Sequence, residues 1–251
     1  MSENISLDRY DDFIERNGNC NGNGNGNNDI NFIERKNKHN DLNLFHTEGC
    51  LEVGVDEVGR GALIGRVYAA AVIWPNDSEY IEELEKNMRI RDSKKLSKKK
   101  REMLYDYITD NAIDYAIGFK DEKYIDKKNI RVASINSMHD AINNLNITPD
   151  LILVDGDGFT QHIDVDMNFV SHICIPGGDD KYVSIAAASI LAKVSRDKYI
   201  SDLCEQNHYL DEQYDILSNM GYGTSNHLQG IRKNGISKFH RKTFGICKNY
   251  D

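Results

Sequence analysis

The apolar positions of this chain fall into runs and stripes whose order predicts an α/β domain. A continuous apolar run at residues 50–55 and a second at 66–74, stopped by Pro75 and Asn76, read as buried strands. Residues 77–86 are acidic and predict a short surface helix or loop. Ser97 is a candidate N-cap for a helix over 101–108, with Met103, Leu104, Tyr107 and Ile108 as its apolar stripe. Branched and aromatic residues at 114–119 predict a third strand. From 130 to 145 the apolar positions Val132, Ile135, Met138, Ala141, Ile142 and Leu145 recur at three and four residues, which marks an amphipathic helix. Strands follow at 151–154 and 169–175. A helix over 183–199 comes next, and its first half is small and apolar enough to lie flat on a sheet. The remainder reads as helix and loop. The expected architecture is a mixed five-stranded sheet flanked by helices, with a helical C-terminal region.

Composition changes the picture at the N-terminus. Residues 1–44 are polar and Asn-heavy, and the Asn-Gly run at 17–26 cannot bury enough surface to offset its ordering entropy. They predict a disordered leader, with one helical turn at most at 30–35, and leave 45–251 as a single domain. No apolar run approaches the roughly 18 residues of a membrane span, and the charged and apolar zones of a signal peptide are missing, so a cytoplasmic protein is expected. Five cysteines without a Cys-x-x-Cys pair argue against a disulfide framework or a thiolate zinc site. The net charge of -9 is unfavourable for binding phosphates, but its distribution is uneven. Lys94, Lys95, Lys98, Lys99, Lys100 and Arg101 form one basic cluster, and Arg232, Lys233, Lys238, His240, Arg241 and Lys242 form a second. Both are compatible with a basic track on an acidic body.

Candidate chemistry sits where strands end. The first apolar run delivers Asp56 and Glu57 and then Gly59-Arg60-Gly61, glycines that permit close backbone approach to a ligand beside a cation that can grip an anion. The run at 151–154 exits into Asp155-Gly156, and the strand at 169–175 exits into Gly178-Asp179. Any one of these acids alone is an ordinary turn residue. Three at equivalent carboxyl ends of strands, where α/β sheets place their sites, point to a divalent-metal site acting on a phosphate backbone. Successive strand side chains face opposite ways, so Asp56 is the safer ligand, and Glu57 joins it only if the strand ends or bulges there. Other motifs fail on spacing. There is no third glycine of a dinucleotide fingerprint, no phosphate loop, no nucleophile elbow and no His-Glu-x-x-His, so no nucleotide cofactor is expected.

Several blocks then resemble ribonuclease HII, the bacterial-pattern type 2 ribonuclease H, in family order. They are residues 54–61, Asp92-Ser93-Lys94-Lys95-Leu96-Ser97, Leu153-Val154-Asp155-Gly156, Gly178-Asp179, residues 185–193 with Arg196-Asp197, Gly221-Tyr222-Gly223-Thr224 with His227, and His240-Arg241-Lys242-Thr243-Phe244. The resemblance implies an RNase H-like fold and a monomeric endonuclease that acts on RNA-DNA hybrids and on ribonucleotides embedded in duplex DNA. In that pattern Asp56, Glu57, Asp155 and Asp179 hold Mg²⁺ or Mn²⁺, and cleavage falls on the 5′ side of the ribonucleotide. Gly59, Arg60 and Gly61 read the 2′-hydroxyl, Tyr222 stacks on the neighbouring deoxyribose, and Lys94 and Lys95 touch phosphates. Ala62 departs from a usual proline, and Asn219-Met220 replaces a His-Lys pair, a loss of about 1 kcal/mol of binding if that lysine makes a charged contact. The alternatives are a non-catalytic hybrid-binding protein and another RNase H-like nuclease, such as a junction resolvase.

Overall fold

The computed structural model describes residues 42–75, 90 and 96–250. Residues 1–41, the acidic stretch at 77–86 and the residues Lys94 and Lys95 lie outside them, and the expected boundary of the leader at residue 44 is corrected, because Leu42 and Leu44 are buried. Six strands form one sheet: β1 (Glu52–Val58), β2 (Val67–Ile73), β3 (Asp114–Lys120), β4 (Leu151–Asp155), β5 (His162–Ile163) and β6 (Phe169–Ile175), in the order β3-β2-β1-β4-β6-β5. β1, β4 and β6 run parallel, whereas β2, β3 and β5 pair antiparallel to their neighbours. The five expected strands are therefore joined by a sixth. It is only two residues long, too short to show alternation, and so left no pattern in the sequence.

β1 is buried on both faces through Asp56, which explains its continuous apolar run. One face carries α1 (Lys98–Asn111) and α4 (Val183–Gln206), whose Leu104, Ile108, Ala187, Ile190 and Leu191 pack with Ala70 and Val72. The other carries α3 (Ile130–Asn143), whose Met138, Ala141 and Ile142 pack with Val53, Val55 and Ala71. Each fully buried aliphatic side chain of this kind contributes about 1.5–3 kcal/mol. α4 lies so close to β1 that a Cβ on Gly54 would come 2.2 Å from the Ser184 carbonyl carbon. That close approach fixes the height of α4 over the strand and so the place of everything further along both.

Local chemistry sets the helix starts. Ser97 Oγ accepts from Lys100 N–H at 3.4 Å, and Asn129 Oδ1 accepts from Val132 N–H at 3.1 Å. Between β3 and α3 sits a short helix, α2 (Glu122–Lys128), capped by Asp121. Only Ile125 of α2 is buried, so it has no apolar stripe and its sequence did not announce it. α4 extends seven residues beyond the expected end, to Gln206, and leads into α5 (Tyr209–Tyr214), α6 (Ile216–Asn219) and α7 (Ser225–Asn234). These pack on Leu63, Ile64, Ile200 and Leu203 as a separate apolar cluster. Leu42 and Leu44 also lie in the main core, and Asn43 bridges to Tyr182. Among the described residues no helix is long and apolar enough to cross a membrane.

Candidate active site

Strand register brings the first two acids together. Val55 of β1 pairs with Val154 of the parallel strand β4, so Asp56 and Asp155 stand side by side one residue later, facing away from the α3 side that Val55 packs against. Asp155 in turn pairs with Ile175, the last residue of β6. After Pro176 the chain turns at Gly177, whose φ of 67° is the left-handed region that glycine adopts without strain, into a 3-10 turn at Gly178–Asp180. Gly178 N–H donates to Asp155 Oδ1 at 2.7 Å, which fixes that carboxylate and brings Asp179 to it. One carboxylate oxygen each from Asp56, Asp155 and Asp179 then lies within 4.8 Å of the other two.

The electrostatics suit a cation. Asp56 and Asp179 are each 5% exposed. Burial, with the negative charges of Glu57 and Asp155, holds the Asp56 carboxyl well above the usual carboxylate range, against hydrogen bonds from the Ser189 hydroxyl of α4 and the Glu57 N–H. Crowded, partly dehydrated carboxylates resist ionisation together, and a hard divalent ion such as Mg²⁺ or Mn²⁺ would relieve that cost. The donor set fits such an ion: all oxygen, converging, on rigid strand ends. Glu57 stands outside the converging set. β1 continues to Val58, and Glu57 accepts from Arg60 Nη1 at 3.0 Å while its charge still acts on Asp56 and Asp155. Burial raises its pKa, with Arg60 opposing.

Beside the acids two loops are sewn together. Gly59 turns at a φ of 92°, and a Cβ there would sit 2.3 Å from Arg196 Nε, so glycine is required on both counts. A Cβ added to Gly61 would lie 4.0 Å from the Tyr222 ring. Leu63 N–H donates to Gly221 O at 2.8 Å, Gly65 N–H to Phe239 O at 2.9 Å, and Arg241 N–H to Leu63 O at 2.8 Å. The segment after Gly61 is thus the middle of three short chains, with bridges Ala62 to Tyr222 and Ile64 to His240. Arg60, which pairs with Glu57, is exposed and Tyr222 half-buried, so both side chains reach the protein surface.

Arg196 and Arg241 hold this assembly from behind, and both are fully buried. Arg196 donates to Met220 O at 2.9 Å and lies over the Tyr222 ring at 5.2 Å. Arg241 donates to Arg60 O at 3.0 Å and to Gly65 O at 2.9 Å. The expectation that Arg241 and His240 belong to a solvated basic cluster is corrected here. Their neighbours Arg232, Lys233, Lys238 and Lys242 are exposed, but these two point inward, and burial with the charge of Arg196 pushes Arg241 down to about 9. Asn219 is also buried. Its amide donates to Tyr214 O at 2.9 Å and its Oδ1 accepts from Gly221 N–H at 2.8 Å, so it braces the loop that carries Tyr222. Sequence reading assigned no individual role to Ser189, Arg196 or His227 and placed Arg241 only in a basic cluster. The available signals were their places in the blocks that resemble the family and, for Ser189, a polar residue inside an apolar helical run.

A family model described as Ribonuclease HII matches residues 53–247. The chain is 45% identical to the ribonuclease HII of Parabacteroides distasonis, with 79% of this chain and 92% of that protein covered. It is 47% identical to that of Pelagibacter ubique, with 76% and 94% covered. Its fold is similar to the crystal structure of ribonuclease H2 from Pyrococcus horikoshii, with a TM-score of 0.62 and 26% identity over 79% of this chain and 95% of that one. The chain belongs to the ribonuclease HII family, whose members are endonucleases acting on RNA-DNA hybrids.

Proposed function

We propose that the chain hydrolyses the RNA strand of RNA-DNA hybrids and nicks duplex DNA on the 5′ side of embedded ribonucleotides, with Asp56, Asp155 and Asp179 holding Mg²⁺ or Mn²⁺. The observation that carries this reading is the convergence of those three carboxylates within 4.8 Å, beside the surface formed by Arg60, Gly61 and Tyr222. A bound divalent ion supplies Lewis-acid chemistry to phosphodiester hydrolysis. The protein supplies the rest. Gly178 N–H orients Asp155, and the Ser189 hydroxyl with the Glu57 N–H orients Asp56, so the donors are set before substrate arrives. Glu57, tied to Arg60, adds negative charge next to Asp56 and fixes where the Arg60 guanidinium lies.

Reading RNA against DNA requires contact with the 2′-hydroxyl. Gly59 and Gly61 let the backbone approach a sugar closely, and the Tyr222 ring next to Gly61 supplies a flat face for the adjoining deoxyribose. Lys94 and Lys95 complete the proposal as phosphate contacts. A monomer acting in the cytoplasm without a nucleotide cofactor is part of the same reading. The test is cleavage of a labelled DNA duplex carrying one ribonucleotide, with Mg²⁺ and with Mn²⁺, beside an all-DNA duplex and an RNA-DNA hybrid. A nick 5′ to the ribonucleotide with the all-DNA duplex intact is expected. Tight hybrid binding without cleavage under either ion would overturn it in favour of a binding protein.

A further inference from the structure

Behind the two loops lies a buried histidine pair whose hydrogen bonds fix every proton. His227 and His240 are 0% and 2% exposed, and their Nε2 atoms are 3.0 Å apart. The backbone N–H of Ser237 donates to His240 Nδ1 at 2.9 Å, with the Ser237 hydroxyl 2.8 Å from the same nitrogen, and because the N–H can only donate, that nitrogen presents its lone pair and the proton of the neutral ring is on Nε2. At the other end His227 Nδ1 is 3.0 Å from the Tyr222 carbonyl, which can only accept. The His227 proton is therefore on Nδ1, and its Nε2 accepts from His240. A one-way chain results: Ser237 N–H to His240, His240 to His227, His227 to the Tyr222 carbonyl. An added proton on either ring would break one of these bonds. Burial holds both imidazoles below their ordinary range, and the facing His227 helps to bring His240 to about 3. Tyr214 packs edge-on against both rings.

We infer that His227 and His240 are positioning residues for Tyr222, setting the orientation of its ring and through it the preference for a lone ribonucleotide over a continuous RNA strand. The inference rests on the reading of Tyr222 as a substrate contact. The Tyr222 carbonyl also accepts from Thr224 N–H at 2.8 Å, so its peptide plane is held from two directions. A fixed plane fixes the direction in which the side chain leaves the backbone. The ring is then bracketed by the Arg196 guanidinium and Gly61. Space-filling alone does not require this arrangement, because two apolar rings would fill the volume without the cost of dehydrating two imidazoles. Directed bonds offset that cost, and what they direct is the backbone of the residue at the substrate surface.

The test compares kcat/KM on a duplex with one ribonucleotide and on an RNA-DNA hybrid, for wild type and four variants, with folding checked by circular dichroism. His240→Phe keeps ring volume and removes the hydrogen bonds to His227 and Ser237, whereas His240→Gln keeps an N–H facing His227. Expected is a fall of about tenfold for His240→Phe on the single-ribonucleotide duplex beyond any fall on the hybrid, with most of it recovered in His240→Gln. Tyr222→Ala should lose the same preference, and adding His240→Phe to Tyr222→Ala should change the ratio by less than twofold, because the pair acts through that ring. Equal losses on both substrates, or effects that multiply in the double variant, would reduce the pair to core packing. If Tyr222→Ala cleaves both substrates as wild type does, the substrate reading of Tyr222 fails and the inference fails with it. Should His240→Phe not fold, His227→Asn decides. It keeps a donor for the Tyr222 carbonyl and His227→Leu does not, so a preference retained in the first and lost in the second supports positioning, and the same preference in both overturns it.

Discussion

Two buried polar regions lie side by side in this domain and solve opposite problems. At the strand ends, Asp56, Asp155 and Asp179 crowd like charges, and Asp56 is held above its ordinary range by burial and by its acidic neighbours. Behind the loops, Arg196, Arg241, His227 and His240 are as deeply buried, but the first three donate to the backbone carbonyls of Met220, Gly65, Arg60 and Tyr222, and His240 donates to His227. On the proposed function, the first region is stabilised by the ion it would bind and the second by the backbone it holds in place. The difference would separate residues that do chemistry from residues that shape a surface, and it cannot be inferred from charge or burial taken alone.

Substitutions should divide along the same line. The largest effect is expected for Asp56→Asn on activity, a fall on the order of 10³-fold or more in kcat with Mg²⁺, read by single-turnover cleavage. Next is Arg241→Met, which strips the Arg60 and Gly65 carbonyls of their donors inside the protein. A loss of about 3 kcal/mol in unfolding free energy is expected from urea titration, because buried acceptors are left unpaired. Acid should act on the second region as well. The folded pKa values of His227 and His240 lie below the unfolded value, so their contribution is complete above about pH 6.5 and drains away as the pH falls toward about 3. Replacing His240 by Gln should flatten the loss of stability between pH 6 and pH 4, and an unchanged profile would assign the acid sensitivity elsewhere. The smallest effect is the most discriminating. Without metal at pH 7, Asp56→Asn should raise stability by about 1 kcal/mol, since the folded state disfavours the charged form of Asp56 and the amide keeps an acceptor for Ser189 and Glu57 N–H.

Much of this was legible before any coordinates. The strand at Phe169–Ile175 and the starts of the helices at Ile130 and Val183 fall where periodicity places them, because long apolar runs and stripes record burial directly. β5 and α2 were not legible, since one is two residues long and the other buries a single side chain. Strand-end logic brought Asp56, Asp155 and Asp179 forward as one site, as parallel register requires. It could not decide that Glu57 would pair with Arg60 and fall outside the converging set. Arg241 and His240 were misread because a cationic cluster in sequence carries no sign of which members turn inward. That is set by Leu63 and Gly65 offering their backbone from more than 170 residues away in the chain, as the Arg241–Gly65 separation of 176 records.

The most direct test of the contrast is thermal unfolding of wild type and Asp56→Asn at pH 7 across a Mn²⁺ titration. If the three carboxylates are the region stabilised by what binds it, wild type should gain about 2–3 kcal/mol at 100 times the dissociation constant, and Asp56→Asn, starting higher, should gain little. Equal gains in both proteins would place the ion elsewhere and contradict the account.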